Sequence, residues 1–534
     1  KTKTMIFPKK GEARNEELSE QGETSDPKLI TNWAESYSVA SDKIRSPKDH
    51  EELVNLIKNH KEVRCVGSMH SCAPLVKSDD IILDFAKMNK ILDIDLENAT
   101  ATVQPGVKVY ELCEEVKPYG YAVGTLGTID WQGVIGAVMT GTHGGSLTTP
   151  SLHDFVESYT LIMGDGETRK VARQDEPELF SAMAPCMGVF GVVIECKIRL
   201  VKLQYLEAEM ESMSFKEVIP RFRELMESNK YARVVVYPSL DMATVWKANP
   251  VENKGDAVDR GATDYASYTN FRNAEEKSLL EGFLIHQKNK EYEKGDTVLR
   301  QVVESQLNRL KHYEGAYNHV LCKERNHGIP HADIEFGMDY SRAEEILTSV
   351  REWYLTEGNR VPYYNFEIRT TKKDSAMMSC CYGRDTLYID FQAKASETFP
   401  FFNTMEKLFE PYGYRKHWAK GMCHSNPENI IKQFPQIRKF IDYMTELDPE
   451  GKFRNEHIRL WYQKIKERLE ERENLGTTTN NLGAKEQCFD DETSTTFASS
   501  TDVSVTDDSE ELDLFDAVAT KVLSDAMDSS LNLS

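Results

Sequence analysis

RCVGSMHSCAPL, residues 64–75, marks the point where a strand gives way to an unusual turn. Its approach carries the β-branched, apolar Val63 and Val66, as a buried strand favours. Gly67 and Ser68 then bend the chain, and a lone His70 follows, flanked by Cys65 and Cys72. Neither cysteine has a partner at metal-binding spacing. A Gly-Ser turn after a strand offers backbone N–H groups that can cradle a phosphate. A histidine in a loop is otherwise an ordinary satisfied side chain, so the turn alone does not define a site.

Outward from that turn the chain alternates between two periods. SPKDHEELVNLIKNH (46–60) predicts a helix started by Ser46 and Pro47, with Leu53, Leu56 and Ile57 on one apolar face. DIILDF (80–85) and ATATVQPG (99–106) read as strands, and VKVYELCEEVKPYG as a helix closed by Pro118 and Gly120. Strands alternating with helices at this spacing indicate α/β units. VESYTLIMGDGETRKVA (156–172) predicts a hairpin across Gly-Asp-Gly, and GVFGVVIECKIRLVKL (188–203) a long strand. After about residue 205 the texture changes. YARVVVYPSLDMATVWKA suggests antiparallel pairing, and a charged helical stretch covers roughly 275–312. Strand-like 331–340, a helix, then strand-like 362–371 and 385–393 predict a mixed sheet with helices to one side. No internal repeat is evident. The expected class is α+β, with a flexible arm over 1–25, a first domain over 26–204, a second over 205–470 and a disordered acidic tail over 471–534.

The bulk numbers limit the function. With 534 residues, 40% hydrophobic and 28% charged, the chain reads as a soluble globular protein. No run of eighteen or more apolar residues predicts a membrane span. A net charge of −22 excludes a nucleic-acid-binding body. From Glu486 onward, thirteen acidic residues and Lys521 give −12, so more than half the excess is tail. Within that tail Leu512, Phe515, Val518, Val522 and Leu523 lie near helical spacing, as in a segment that docks on a protein partner; incidental disorder is the alternative. Ten scattered cysteines without a CxxC favour reduced thiols in an intracellular compartment, with membrane association left open. The chain opens on Lys1 rather than Met, so the natural N-terminus is expected to lie upstream, which leaves a removed signal or transit segment open.

Two further stretches carry polar groups suited to chemistry. GTLGTIDWQGVIGAVMTGTHGGS (124–146) holds seven glycines interleaved with Thr125, Thr128, Thr140, Thr142 and His143. A run of tight turns would explain the glycines but not the donors between them. The spacing is neither that of GxGxxG nor of a P-loop, so a dinucleotide on another glycine-rich surface is the better fit. In NFEIRTT, Glu367 and Arg369 share a strand face, either as a simple ion pair or as part of a site. YGYRKHWAKG packs Arg415, Lys416, His417, Trp418 and Lys420 together, and Trp418 argues against a merely solvated charge run. His417, Cys423 and His424 match no common metal spacing, so no metal is expected.

Taken together, RCVGSMHS (64–71), GAVMTGTHG (136–144), NFEIR (365–369), KHWAK (416–420) and the closing LDPEGKFRNEHIRLW (447–461) resemble one family in its own order. It is the aldonolactone oxidases of the vanillyl-alcohol-oxidase fold, including gulonolactone, galactonolactone and arabinonolactone oxidases and alditol oxidases. The similarity spans about 26–462. It implies a two-lobed, PCMH-type FAD-binding domain followed by a substrate (cap) domain. The pyrophosphate would lie on Val66, Gly67, Ser68, Met69, His70 and Ser71, with the flavin linked covalently through His70. The family's usual turn has glycine where this chain has Met69. Gly127, Thr128, Gly133, Gly136, Gly141, Thr142, His143 and Gly144 would line the isoalloxazine, and Gly191 and Val192 the adenine side.

The resemblance further implies that Glu367, Arg369, His417 and Lys420 are catalytic, acting on a small polyhydroxylated substrate, with oxygen or an electron carrier as acceptor and a place in ascorbate-type biosynthesis. Hydride transfer from a hydroxyl-bearing carbon leaves negative charge on the flavin, which Lys420 or Arg369 could balance. The hydroxyl must also lose a proton; Glu367 is a candidate to position it, and His417 or His143 to assist. A sugar-1,4-lactone is the leading substrate. The alternatives are an alditol or polyol oxidase, a lactone dehydrogenase using a carrier, and a flavoprotein with a regulatory or scaffold role through its tail.

Overall fold

The structure is a computed structural model describing residues 3–4, 27–252, 278–322, 330–357, 365–393, 398–421 and 426–485. The expected arm thus lies outside the described residues, except that Lys3–Thr4 pairs parallel with Ile30 and Thr31. Strands β1 (Ile44–Arg45), β2 (Val63–Val66) and β3 (Ile81–Asp84) form a small parallel sheet in the order β1-β3-β2. Helix α1 (His50–Asn59) crosses from β1 to β2, and its Leu53 and Ile57 are completely buried. Burying each such side chain contributes roughly 1.5–3 kcal/mol. The cap is Asp49, whose carboxylate accepts from the Glu52 N–H at 2.9 Å, three residues later than the Ser46–Pro47 start expected. The nearest capping side chain to the first buried turn wins.

A second sheet of the first lobe is antiparallel throughout. It contains β4 (Ile91–Asp95), β5 (Thr100–Val103), β6 (Tyr121–Val123), β7 (Val156–Ile162), β8 (Thr168–Ala172) and β9 (Val192–Lys202). Its order is β8-β7-β9-β5-β4, with β6 pairing the far end of the long β9. Helices α2 (Val109–Val116) and α3 (Val134–Thr140) lie between these strands in sequence. The expected 156–172 hairpin is β7 and β8, turning at Gly166 with φ +88°. The two sheets share a core of Leu53, Val63, Leu83, Ile162 and Val192.

The second lobe is one eight-stranded sheet with two internally similar halves. The first half runs β10 (Tyr205–Ser214), α4 (Phe215–Glu227), β11 (Tyr231–Tyr237) and β12 (Met242–Val251); α5 (Tyr292–Leu310) and β13 (His312–Ala316) follow. The second half runs β14 (Ala332–Asp339), α6 (Ala343–Thr356), β15 (Phe366–Thr371) and β16 (Thr386–Ala393), with β17 (Arg415–Lys416) at the edge. The order is β13-β10-β12-β11-β15-β16-β14-β17. In each half the third strand inserts between the two that the helix connects. Every pairing is therefore antiparallel, and the mixed sheet expected from the crossover helices is corrected. The α4 side chains Phe215 and Phe222 and the α6 side chains Ile346 and Val350 bury one face of this sheet. Its other face looks toward the first lobe.

The closing segment returns to the first lobe, although the sequence boundaries assign it to the second. In α7 (Ile437–Leu447), Phe440 packs 5.2 Å from Phe190 of the first lobe. Lys452 donates to the Ile57 and Gly164 carbonyls at 2.8 and 3.0 Å, and the Asn455 amide donates to those of Pro74 and Lys77 at 2.9 Å. Helix α8 (Glu456–Lys485) continues fifteen residues into the stretch expected to be disordered. The docking segment proposed around Leu512 lies outside the described residues. Among the described residues no helix is long and apolar enough to cross a membrane.

Candidate active site

A cavity of about 390 Å³ separates the open face of the eight-stranded sheet from the turns of the first lobe. One of its walls is the 67–71 turn. Met69 there holds φ +52°, its side chain buried and its carbonyl accepting from the Trp33 N–H at 3.2 Å. Ser68 donates to the Trp131 carbonyl and accepts from Lys108 at 3.0 Å, so the turn is tied to the glycine-rich segment. Arg64 donates to the carbonyls of Leu75 and Met187 at 2.7 Å and to that of Phe453, fastening three segments behind it.

His70 faces the cavity, its ring 5.7 Å from that of Trp33. Burial lowers its pKa to about 4, helped by Lys420 and His331 and opposed by Asp333, so the imidazole is neutral at ordinary pH. A neutral ring nitrogen is what nucleophilic attack on an electrophilic carbon requires.

The opposite wall is built by strand alternation. Asp333 and Glu335 on β14, Glu367 and Arg369 on β15, and Asp390 and Gln392 on β16 all line the cavity at intervals of two. Strand register sets Glu367, Asp390 and Glu335 side by side in one row across three strands. Next to that row, Arg369 lies opposite Tyr388, and Tyr388 opposite Gly337. A Cβ on Gly337 would come within 3.1 Å of the Tyr388 ring. Tyr388 stacks on His143 at 3.8 Å between ring centroids.

Three carboxylates converge on Lys420. Its Nζ lies 2.6 Å from Asp390, 3.3 Å from Glu335 and 3.8 Å from Asp333. Burial opposes its charge, yet these acids hold the ammonium well above its ordinary pKa. Arg369 lies 2.9 Å from Glu335 and 3.9 Å from Glu367, and its pKa is raised by Glu367, Glu335 and Asp390 against burial. Both cations are thus permanent. His143 approaches Glu335 at 3.2 Å, and its pKa is lowered by burial. Burial takes His417 to about 3.

His143, Glu335 and His417 form a buried cluster of metal-ligating types. Its carboxylate is already engaged by Arg369, Lys420 and His143, which marks an ion-pair network rather than a metal cage. Cys423 and His424 lie outside the described residues.

Of the residues singled out from the sequence, the cavity brings together Val66 through Ser71, Gly127, Thr128, Gly133, Gly136, Thr142, His143, Gly191, Glu367, Arg369, His417 and Lys420. Gly141, Gly144 and Val192 are not among its lining residues. Gly141 closes α3 in the left-handed conformation, at φ +82°. Gly144 packs where a Cβ would meet the Thr125 hydroxyl at 2.9 Å. Val192 points into the core between the sheets while its neighbour Val193 lines the cavity, as alternation dictates. Sequence reading missed Asp333, Glu335, Asp390, Gln392 and Arg233. The signal was present as polar residues at intervals of two, Asp333 with Glu335 in HADIEFGMDY and Asp390 with Gln392 in DTLYIDFQA, where alternation places each pair on one face. The insertion after β12 contributes Leu280, Gln306 and Leu310 to the outer wall beside Trp246 and Tyr237.

The first-lobe wall fits a dinucleotide. Gly67, Gly136 and Gly188 all line the cavity, and a Cβ on any of them would meet no protein atom within 4 Å. Their backbones therefore border open space, where a ligand can approach closely.

Known proteins point the same way. Residues 196–461 match the family model for D-arabinono-1,4-lactone oxidase, and residues 42–172 that for an FAD binding domain. An L-gulono-1,4-lactone dehydrogenase of Mycobacterium tuberculosis is 24% identical over 81% of this chain and 98% of its own length. The L-gulonolactone oxidase of Mus musculus is 23% identical over 80% and 96%. Among solved structures, a solvent-stable cholesterol oxidase superposes with a TM-score of 0.69 at 15% identity, covering 82% of this chain and 97% of that one, a likeness of fold.

Proposed function

Because the chain belongs to the D-arabinono-1,4-lactone oxidase family and carries an FAD-binding domain, we propose that it oxidises a CH–OH group of a sugar-1,4-lactone and passes the electrons to oxygen. It is an FAD-dependent oxidoreductase acting on CH–OH donors. When bound, FAD supplies the hydride acceptor. The observation that carries the reading is a single cavity with the 67–71 turn and glycine-rich segment on one wall and Glu367, Arg369, His417 and Lys420 on the other.

In this reading Val66 through Ser71 hold the pyrophosphate, and Gly127, Thr128, Gly133, Gly136, Thr142 and His143 border the ring. His70, neutral because burial disfavours its cation, is the point of covalent attachment. Lys420 and Arg369 are permanent cations beside the reacting centre, so negative charge developing there is balanced without reorganisation. Glu367, 3.5 Å from Arg233 and 3.9 Å from Arg369, is placed to accept hydrogen bonds from substrate hydroxyls. A small polyhydroxylated molecule suits this wall, which is crowded with charged acceptors and donors, better than an apolar one does.

The test is turnover of the purified yellow protein on a panel of aldono-1,4-lactones and alditols, following hydrogen peroxide and, separately, reduction of an artificial electron acceptor. Peroxide formed with a lactone in preference to open-chain alditols supports the proposal. Dye reduction without peroxide would make it a dehydrogenase, and inertness toward every lactone and alditol would sink it.

A further inference from the structure

Four carboxylates line the cavity wall, and although Glu335 Oε2 and Asp333 Oδ1, like Asp390 Oδ1, make no hydrogen bond, three of the four acids set that oxygen within 4 Å of a cationic or imidazole nitrogen. Glu335 Oε2 faces Lys420 at 3.3 Å while its Oε1 faces Arg369 at 2.9 Å and His143 at 3.2 Å. Asp333 Oδ1 faces His331 at 3.2 Å. Glu367 Oε1 faces Arg233 at 3.5 Å. Asp390 differs. Its ion pairs with Lys420 at 2.6 Å and Arg369 at 3.8 Å both use Oδ2, while its buried Oδ1 has neither a hydrogen-bond nor an ion-pair partner among the described residues. Gln392, two residues along the same strand face, and Asn365, immediately before β15, also present buried side-chain oxygens without hydrogen-bond partners, and both line the cavity.

A buried acceptor left without a donor is costly, because its desolvation is not repaid. A cavity wall that leaves several such acceptors together is complementary to a ligand rich in O–H donors. We propose that Asp390 is the proton acceptor of the reaction, its Oδ1 taking the hydroxyl proton of the carbon being oxidised while Gln392 and Asn365 hold neighbouring hydroxyls. This rests on the reading of the site as a lactone or polyol oxidoreductase.

In the step, the substrate O–H bond breaks and its proton moves to Asp390. The adjacent C–H bond breaks with its electron pair leaving as hydride to the cofactor, and the C–O bond becomes C=O. The substrate loses two electrons and the cofactor gains two. Lys420, bonded to the other Asp390 oxygen, stays charged throughout and keeps the carboxylate oriented.

The rival acceptors are less suited. His417 is a very weak base with its pKa near 3, and its Nδ1 already accepts from the Ala419 N–H at 3.3 Å. Glu335 is held well below the carboxylate range by Lys420, His143 and Arg369, despite its burial. Asp390 moves the other way. Burial, together with Asp333 and Glu335, raises it against Lys420 and Arg369, which makes it a stronger base than Asp333 or Glu335, both of which are lowered. Glu367, Tyr388 and His143 complete the titratable groups around it.

The experiment compares wild type with Asp390→Asn as flavin-loaded enzymes on the best lactone of the panel. The expected result is a fall in kcat of about 10²–10³-fold, a KM changed by only a few fold, and loss of the acidic limb of the kcat/KM pH profile. Formate should partly restore turnover to Asp390→Ala, and Asp390→Glu should keep the acidic limb. Asp390→Asn with kcat near wild type, or with only KM changed and the acidic limb intact, overturns the assignment. So does a failure of formate to act on a folded, flavin-loaded Asp390→Ala. A wild type inert toward every polyhydroxylated donor instead overturns the functional reading beneath it, and that outcome is visible before any variant is made.

Discussion

Met69 occupies a backbone position that glycine favours, at φ +52°. An L-residue there costs about 1–2 kcal/mol, yet the Met69 side chain is 2% exposed, in a cluster with Ile30, Val39, Val66 and Ile82. Burial of a methionine is worth more than that strain, roughly 2–5 kcal/mol when the cavity left behind is included. The turn therefore keeps the glycine conformation without the glycine. Met69→Gly should lower unfolding stability by about 1–3 kcal/mol, read from urea denaturation, while flavin stays bound. A gain in stability would show that the packing matters less than the strain. His70, next in the chain, carries a second prediction. Acid-denatured wild type should retain its yellow colour and His70→Ala should release it; a wild type that loses all its flavin would exclude the covalent link but not FAD binding.

These two residues also show what could be read in advance. The Gly-Ser turn and its histidine were visible because turn chemistry is local. Asp390 was not, because its meaning depends on Glu335 and Glu367, residues 55 and 23 positions away, meeting it through strand register.

At the scale of elements, most strands and helices were legible from period alone, and what failed was connectivity. Helices α4 and α6 each follow one strand and precede another, which reads as a parallel crossover. Only the pairing of β12 and β16 into the gap makes the sheet antiparallel and reveals its two similar halves, which share a topology and no evident sequence period. The junction of β7 and β9 tests the cofactor wall. Gly191 sits there at φ +151°, and a Cβ would lie 2.8 Å from the Ile162 carbonyl and 2.9 Å from Leu161. Gly191→Ala should cost about 2–4 kcal/mol, from backbone strain and steric overlap, and lower the flavin content of the purified protein. Unchanged stability and full flavin would contradict this placement.

Across the whole molecule, the ionisable groups buried between the lobes couple stability to pH. Burial holds His70 near pKa 4, His417 near 3 and His457 near 4, and lowers His143, against 6.5 for an ordinary histidine. The unfolded chain therefore takes up protons below pH 6.5 that the folded chain refuses until about 4. Their contribution to stability is full above pH 6.5 and is lost as pH falls, by about 1–2 kcal/mol at pH 5 for each of His70, His417 and His457, with His143 acting in the same direction. Asp390, raised rather than lowered, opposes this in part. The urea midpoint of the holoenzyme should fall between pH 7 and pH 5; a midpoint that rises or stays level would mean that these imidazoles are not buried neutral.

The account as a whole requires that one bound flavin be reached by a substrate held against Lys420 and Arg369. Anaerobic mixing of the flavin-loaded protein with L-gulono- or D-arabinono-1,4-lactone measures that reach directly, through the visible absorption of the oxidised flavin. The absorption should bleach in a single turnover with wild type, and at least a hundredfold more slowly with Lys420→Met, for loss of a charge stabiliser of this kind. Flavin that stays fully oxidised with every lactone and polyol, or that bleaches equally fast in the variant, would contradict it.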